Sequence, residues 1–356
     1  MNQDTANALI QRLGASAGVL VQSIDVVRGR ALLVGFDAQA HRNASFLDDR
    51  ILSSVSEGVW VGLRRLIDAA RTIPVNPALH FIFHTGHVGS TLVSRLIDEA
   101  GSVLGLREPM TLRQVADAYD ALGLAESLLS QEDFDVLLTT LLRVWGRGFP
   151  EAHTVVLKAT SSAGRLAPLL LARQTAARAV YLNVGAEPYL ATLLGGPNSV
   201  ADLRGHAGER IRRLVRFGAR EMPALHQLSP GKLAAMSWLA ETWSQQNARE
   251  AGGERVLAID FDALLGDVAG VMARIVRHLG VAHDAAYLAG IGQSPVLSRY
   301  AKGPEHAYSP QLRAQVLAQS RAQNGEEIRA GLTWLDGIAA ANPSVARIVE
   351  RFGSQS

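Results

Sequence analysis

From about residue 76 onward the chain alternates short apolar runs with segments of helical spacing. Leu79–His84, Ser102–Leu106, Thr154–Lys158, Ala179–Val184 and Val256–Asp260 read as strands, being apolar nearly throughout and bounded by polar or glycine-containing turns. Each is followed by a helical stretch, most clearly 90–100, 162–173, 187–194 and 262–279. Strands this uniformly apolar, interleaved with helices, predict a parallel sheet covered on both faces. The expected fold class is therefore α/β: a three-layer α/β/α unit with a parallel sheet of about five strands. Segment 196–250 is mostly helical and forms an insertion before the last strand. Upstream, 3–15 reads as a short helix, 18–36 as a small hairpin turning at R-G-R, and 58–71 as a second helix. Pro74 and Pro77 then break the chain. The organisation expected is an N-terminal appendage over 1–75 and a main domain over 76–356. The appendage either packs beside the main domain or mediates a homodimer. Neither an internal repeat nor a low-complexity tract is present.

Composition narrows the class. Of 356 residues, 48% are hydrophobic and 19% charged, which excludes a disordered chain. With 35 basic and 33 acidic residues the formal charge is +2. That balance argues against a nucleic-acid binder, which must neutralise many phosphates. The absence of cysteine removes disulfides, zinc–thiolate sites and cysteine nucleophiles together. The apolar stretch from Leu166 to Leu194 is interrupted by Arg173, Arg178, Glu187 and Pro188, too soon for a membrane span of about 20 residues. The opening M-N-Q-D-T-A-N-A-L-I has no basic region leading into an apolar one, so a cytoplasmic location is expected. Arginine is used almost everywhere; the lysines are Lys158, Lys232 and Lys302.

The chemistry concentrates after the first strand of the main domain. Residues 79–95 read L-H-F-I-F-H-T-G-H-V-G-S-T-L-V-S-R, an apolar strand, a turn with Gly86 and Gly89, and a helix opening on Ser90 and Thr91. Glycines let backbone approach a ligand, and free N–H groups at a helix start attract an anion. The Walker pattern G-x-x-x-x-G-K-[ST] is absent, because the glycines are too close and no lysine precedes Ser90. On its own, the loop is equally well an ordinary strand–turn–helix junction capped by Ser90.

Four further segments follow in order. They are L-R-E-P at 106–109, V-V-L-K-A-T-S-S at 155–162, R-V-L-A-I-D-F-D-A-L-L-G-D closing in H-L-G at 255–280, and S-R-Y-A-K-G-P-E-H-A-Y at 298–308. With the loop, this ordered set resembles the sulfotransferase family in its bacterial branch, over about residues 79–310. The resemblance implies a P-loop NTPase-like fold. It also implies transfer of a sulfonate from 3′-phosphoadenosine 5′-phosphosulfate (PAPS) to a hydroxyl or amine of a small-molecule or glycan acceptor, without a metal. The positions matching the donor's 5′-phosphosulfate site are Thr85, Gly86, His87, Val88, Gly89, Ser90 and Thr91. Those matching the 3′-phosphate site are Thr192, Arg299, Lys302 and Gly303. The chain departs from the family at His87, where a lysine or arginine is usual. It departs again at Leu92, where an aromatic often stands, and at Val184, where an arginine does.

Sulfuryl transfer is an in-line displacement governed by positioning and charge stabilisation. Glu108, set before Pro109 at a strand end, is the expected base for the acceptor; the competing role is a salt bridge with Arg107. Lys158 and His87 are the further expected catalytic residues, as cations near the transferring group. Thr160, Ser161 and Ser162 are expected to cap the next helix or touch substrate. His84 reads as a packed strand residue, and Trp238 and Trp243 as core. Segment 204–220 holds six arginines against one glutamate, which reads as a solvated basic face. The acceptor is expected to lie against 110–150 and 196–230, where Trp145, Phe149 and Phe217 would suit an apolar molecule and the arginines an acidic one. Two other readings stand beside this one. Val256–Asp260, an apolar strand ending in aspartate, suits a P-loop kinase or nucleotide phosphotransferase. The changes at His87 and Val184 suit a degenerate family member that binds a nucleotide without catalysis.

Overall fold

The computed structural model describes residues 3–55, 57–196, 198–299 and 309–353. Three strands, β1 (Val19–Asp25), β2 (Arg30–Gly35) and β3 (Gly58–Gly62), form an antiparallel sheet in sequential order. Five more, β4 (Leu79–His84), β5 (Val103–Arg107), β6 (Thr154–Lys158), β7 (Ala179–Asn183) and β8 (Val256–Asp260), form a second sheet in the order β5-β6-β4-β7-β8. Every pairing in it is parallel, and each strand lies within a residue of the span its apolar run predicts.

The helices of the appendage are α1 (Gln3–Ala15), α2 (Ala38–Asn43) and α3 (Leu63–Ala70). Through the centre follow α4 (Ser90–Asp98), α5 (Met110–Ala121), α6 (Gln131–Trp145), α7 (Ala167–Arg173) and α8 (Ala186–Leu194). The helical insertion supplies α9 (Ser199–Gly205), α10 (Ala207–Phe217) and α11 (Pro230–Gly252). The remainder are α12 (Phe261–Gly266), α13 (Val268–Leu279), α14 (Ala285–Gly290), α15 (Pro310–Ala341) and α16 (Pro343–Phe352). None of these described helices is long and apolar enough to cross a membrane.

Alternation along the parallel strands divides the interior in two. Leu79, Phe81 and Phe83 of β4 belong to one core, with Leu104, Leu106, Val155, Leu157 and Tyr181. Ile82 belongs to the other, with Val156, Val180, Leu182 and the apolar faces of α4, α8, α11, α13 and α15. The first core runs without a break into Leu9, Leu13, Val21, Leu33 and Val61 of the appendage. Buried Arg147 ties the two parts, donating to the carbonyls of Leu13 (2.8 Å) and Val19 (2.7 Å) from its place after α6. Gln114 of α5 reinforces the join. Its amide donates to Ile24 O and its oxygen accepts from Ile24 N.

One predicted element changes type. Residues 58–62 are a strand, and the helix begins at Leu63. G-V-W-V-G has period two: Val59 and Val61 are buried while Trp60 lies under the Arg30 guanidinium at 4.4 Å. The expected helix over 58–71 blurred that short alternation into the stronger pattern downstream.

Candidate active site

In the observed strand order, β4 is central and the chain leaves it toward β5 on one side and returns to β7 on the other. Ligands of open α/β sheets bind outside the carboxyl ends of strands at such a switch point. The loop Thr85–Gly89 sits there. Gly86 has φ +103°, His87 +55° and Gly89 +69°, so three of five residues are left-handed. Glycine adopts such angles without the Cβ clash that costs other residues about 1–2 kcal/mol. His87 adopts one at that cost, a feature that clusters at functional sites. It is exposed, whereas Thr85, Gly86 and Val88 are buried.

The loop is laced to its neighbours. Thr85 N–H donates to Leu182 O (3.0 Å) and Ala159 N–H to Ile82 O (2.9 Å). His84 is buried, as expected of a packed strand residue. Its Nδ1 accepts from Gly86 N–H (3.1 Å) and its Nε2 donates to Ala159 O (2.9 Å), which fixes the neutral Nε2–H tautomer. A side chain at Gly86 would face the Tyr189 hydroxyl (3.6 Å) and Ser161 (3.7 Å). One at Gly89 would strike Phe261, 2.5 Å from its Cε2. Gly89, and not Ser90, is the N-cap of α4, with no side-chain capping bond.

Three hydroxyls about this loop are buried without a hydrogen-bond partner: Thr85 Oγ1, Thr91 Oγ1 and Thr160 Oγ1. A buried hydroxyl left so loses about 1–3 kcal/mol, and a phosphate or sulfonate oxygen is an acceptor for each. Thr160 stands at the cap position of a 3₁₀ turn over Ser161–Leu166 but makes no capping bond, so its hydroxyl is not used in the expected way. These residues fit the anionic end of a phosphosulfate. At the other end, Val184 is buried and its carbonyl accepts from Trp238 Nε1 (3.0 Å). Thr192 Oγ1 donates to Pro188 O (2.7 Å). Arg299 is exposed, and Lys302 and Gly303 lie outside the described residues.

Glu108 follows β5 with φ +52°. Its Oε1 is bonded to Lys158 Nζ, and its N–H donates to Lys158 O (2.7 Å). The partner is therefore Lys158 across the sheet, and not Arg107 beside it. Parallel register sets this pairing: Arg107 lies opposite Lys158, and Lys158 opposite Ile82. Lys158 has 0% exposure and Glu108 8%.

Several residues escaped sequence reasoning. Phe261 packs beneath Gly89, and Arg313 of α15 lies over its ring at 4.8 Å while pairing with Asp262 at 2.7 Å. Tyr189 bonds Ser237 (2.9 Å), and burial pushes its hydroxyl up to about 12, keeping it protonated. No local spacing marks either contact. Asp260 accepts from Ala263 N–H (2.9 Å) as the N-cap of α12, and burial raises its pKa.

The arginine-rich segment is solvated at Arg204, Arg212, Arg216 and Arg220, as its composition suggests, but two of its six arginines turn inward. Arg213 is 3% exposed and grips Glu241 through both nitrogens (2.9 and 3.0 Å), with Glu209 at 2.9 Å. Burial alone would lower its pKa, but the Glu241 and Glu209 carboxylates raise it. Arg210 is also buried, and Arg216 pairs with Asp120 at 2.8 Å. Trp145 is core too, donating to Thr111 Oγ1 (3.2 Å), so it does not face an acceptor. Phe217 packs on Trp243, rings 5.7 Å apart, and Phe149 edges onto His41 at 6.0 Å. Trp238 and Trp243 are buried as expected.

No protein-family model matches the sequence, and no curated protein matches it. Solved structures that it resembles include several sulfotransferases. A sulfotransferase domain from the curacin biosynthetic pathway is 14% identical with a TM-score of 0.41, covering 69% of this chain and 96% of that one. A sulfotransferase from Mycobacterium avium is 13% identical with a TM-score of 0.39, covering 91% of this chain and 96% of that one. A mouse sulfotransferase complexed with PAP is 10% identical with a TM-score of 0.39, covering 82% and 97%. Likeness this distant assigns no activity.

Proposed function

We propose that this chain is a sulfotransferase, moving a sulfonate from PAPS to a hydroxyl or amine of a small acceptor. One observation carries the reading. A glycine-turned anion cradle, with unpartnered buried hydroxyls at Thr85, Thr91 and Thr160, opens on the same sheet edge as the Glu108–Lys158 pair. The ordered motif resemblance from the cradle to Arg299 supports it. PAPS, when bound, supplies a sulfonate already activated by its phosphate leaving group. The backbone N–H groups at the start of α4 and the threonine hydroxyls hold the anionic end. Glu108 takes the acceptor's proton, and the ion pair with Lys158 holds its carboxylate in place. His87, exposed on the loop, donates to the sulfonate when protonated.

The kinase reading has Asp260 in its favour, but one oxygen of its carboxylate caps α12 and the loop lacks the Walker lysine. Thermal melts with added nucleotide separate the two. Adenosine 3′,5′-bisphosphate (PAP) is expected to raise the melting temperature and ATP with magnesium to leave it unchanged; the reverse would sink the sulfotransferase reading. A degenerate binding protein is separated by Glu108→Gln. Sulfonate transfer from labelled PAPS should fall at least about a hundredfold with PAP affinity retained. Equal turnover in both forms removes Glu108 from the mechanism.

A further inference from the structure

Glu108 has a backbone that L-residues rarely adopt, so something must hold it. Pro109 fixes one side, and the other restraints come from the N-terminal appendage. Leu47 N–H donates to Arg107 O (2.7 Å), and Met110 N–H donates to Leu47 O (3.1 Å). Leu47 thus brackets the Glu108 turn with a backbone bond on each side, across about sixty residues of sequence. Leu47 is 1% exposed, which shields both bonds from water. The Arg107 guanidinium, also 1% exposed, extends the bracket. It pairs with Asp98 at the end of α4 and donates to His41 O (2.9 Å) and Ala44 O (2.8 Å) where α2 ends. Arg95 of α4 adds a bond to Ser45 Oγ (2.8 Å). The segment 41–47 is therefore fastened at once to the helix of the anion loop and to the turn that carries the carboxylate.

We infer that segment 41–47 is a positioning element for Glu108, acting through Arg107 and Leu47, so that the appendage is part of the catalytic apparatus and not only a packing neighbour. The inference rests on the function proposed above, with Glu108 as the base. A guanidinium suits the task because its fork serves a carboxylate and two carbonyls together; an ammonium in the same place cannot reach all three.

Arg107→Gln and Arg107→Lys test this, with Asp98→Asn as a milder variant that keeps an acceptor beside Arg107 should the others fail to fold. Three quantities are measured: PAP affinity by calorimetry, kcat and KM for transfer, and amide exchange of Leu47 and Met110. The expected result is PAP affinity within about twofold of the parent and kcat reduced at least about tenfold. The order should be Arg, then Lys, then Gln, and amide exchange should be at least about tenfold faster at those two positions, with other strands protected as before. Unchanged exchange at Leu47 and Met110 overturns the inference, as does faster exchange with kcat intact. Loss of protection across all strands together with PAP affinity also overturns it, because it marks a general fold defect. If the parent binds no PAP and transfers nothing, the functional reading falls, and the exchange comparison still decides the clamp.

Discussion

Gly89→Ala tests the packing of the anion loop most directly. Two costs add at this position. At φ +69° a Cβ brings the left-handed penalty of roughly 1–2 kcal/mol. The same Cβ lies 2.5, 3.0 and 3.3 Å from Cε2, Cδ2 and Cζ of Phe261. That ring cannot retreat freely, being 5% exposed and covered by Arg313, itself held by Asp262 at 2.7 Å. Overpacking of this kind costs typically about 1–3 kcal/mol, so destabilisation of about 2–5 kcal/mol is expected. In a chain of 356 residues that is a fall in Tm of about 3–7 °C. Because the displaced backbone carries the N–H groups that start α4, PAP affinity should fall at least about tenfold as well. Circular-dichroism melts and calorimetric titration read the two effects. The double variant with Phe261→Ala divides them. Removing the ring abolishes the clash and leaves the φ penalty, so the two changes should couple by about 1–3 kcal/mol. A Gly89→Ala protein melting within about 1 °C of the parent, or a strictly additive double variant, would refute the reasoning.

Arg213→Ala strands the Glu241 carboxylate, which is 1% exposed, and should cost about 3–5 kcal/mol in urea unfolding. Replacing Arg213 and Glu241 together by methionine should cost much less; equal losses would mean that packing, not charge, is at stake. Burial holds His80 down at about 4, helped by the Arg178 charge, and burial likewise holds His41 at about 4. The unfolded chain protonates these residues near the ordinary value of about 6.5, the folded chain only near 4, so their stability contribution is complete above pH 6.5 and lost as pH falls toward 4. His80→Asn, which keeps an acceptor for Arg178 N–H, should flatten the drop in urea midpoint between pH 7 and 5. An unchanged slope would contradict the assignment. Lys158→Arg should reduce transfer because no room surrounds a side chain of 0% exposure, whereas Lys232→Arg, half-buried at the start of α11, should not; equal activities would remove Lys158 from the site.

The strands of the parallel sheet were legible because burial on both faces writes itself into the chain as unbroken apolar runs such as Leu79–His84 and Ala179–Asn183. The turn before α4 was legible for a similar reason, since glycines next to a helix start serve a local backbone need. The antiparallel third strand Gly58–Gly62 was not, because five alternating residues against a helical continuation carry too little periodicity. Nor was the fate of Arg213: it looks as solvated as its arginine neighbours until α11 brings Glu241 against it.

By itself, then, the chain determined the parallel strands, their α/β alternation and the glycine turn that opens α4, all of which depend on neighbours a few residues apart. The tertiary structure alone decided that Glu108 meets Lys158 and not Arg107, that Phe261 closes under Gly89, and that Leu47 braces the Glu108 turn. Those contacts follow from strand order and register, which bring together residues separated by scores of positions, and no periodicity along the chain encodes which strand will lie beside which.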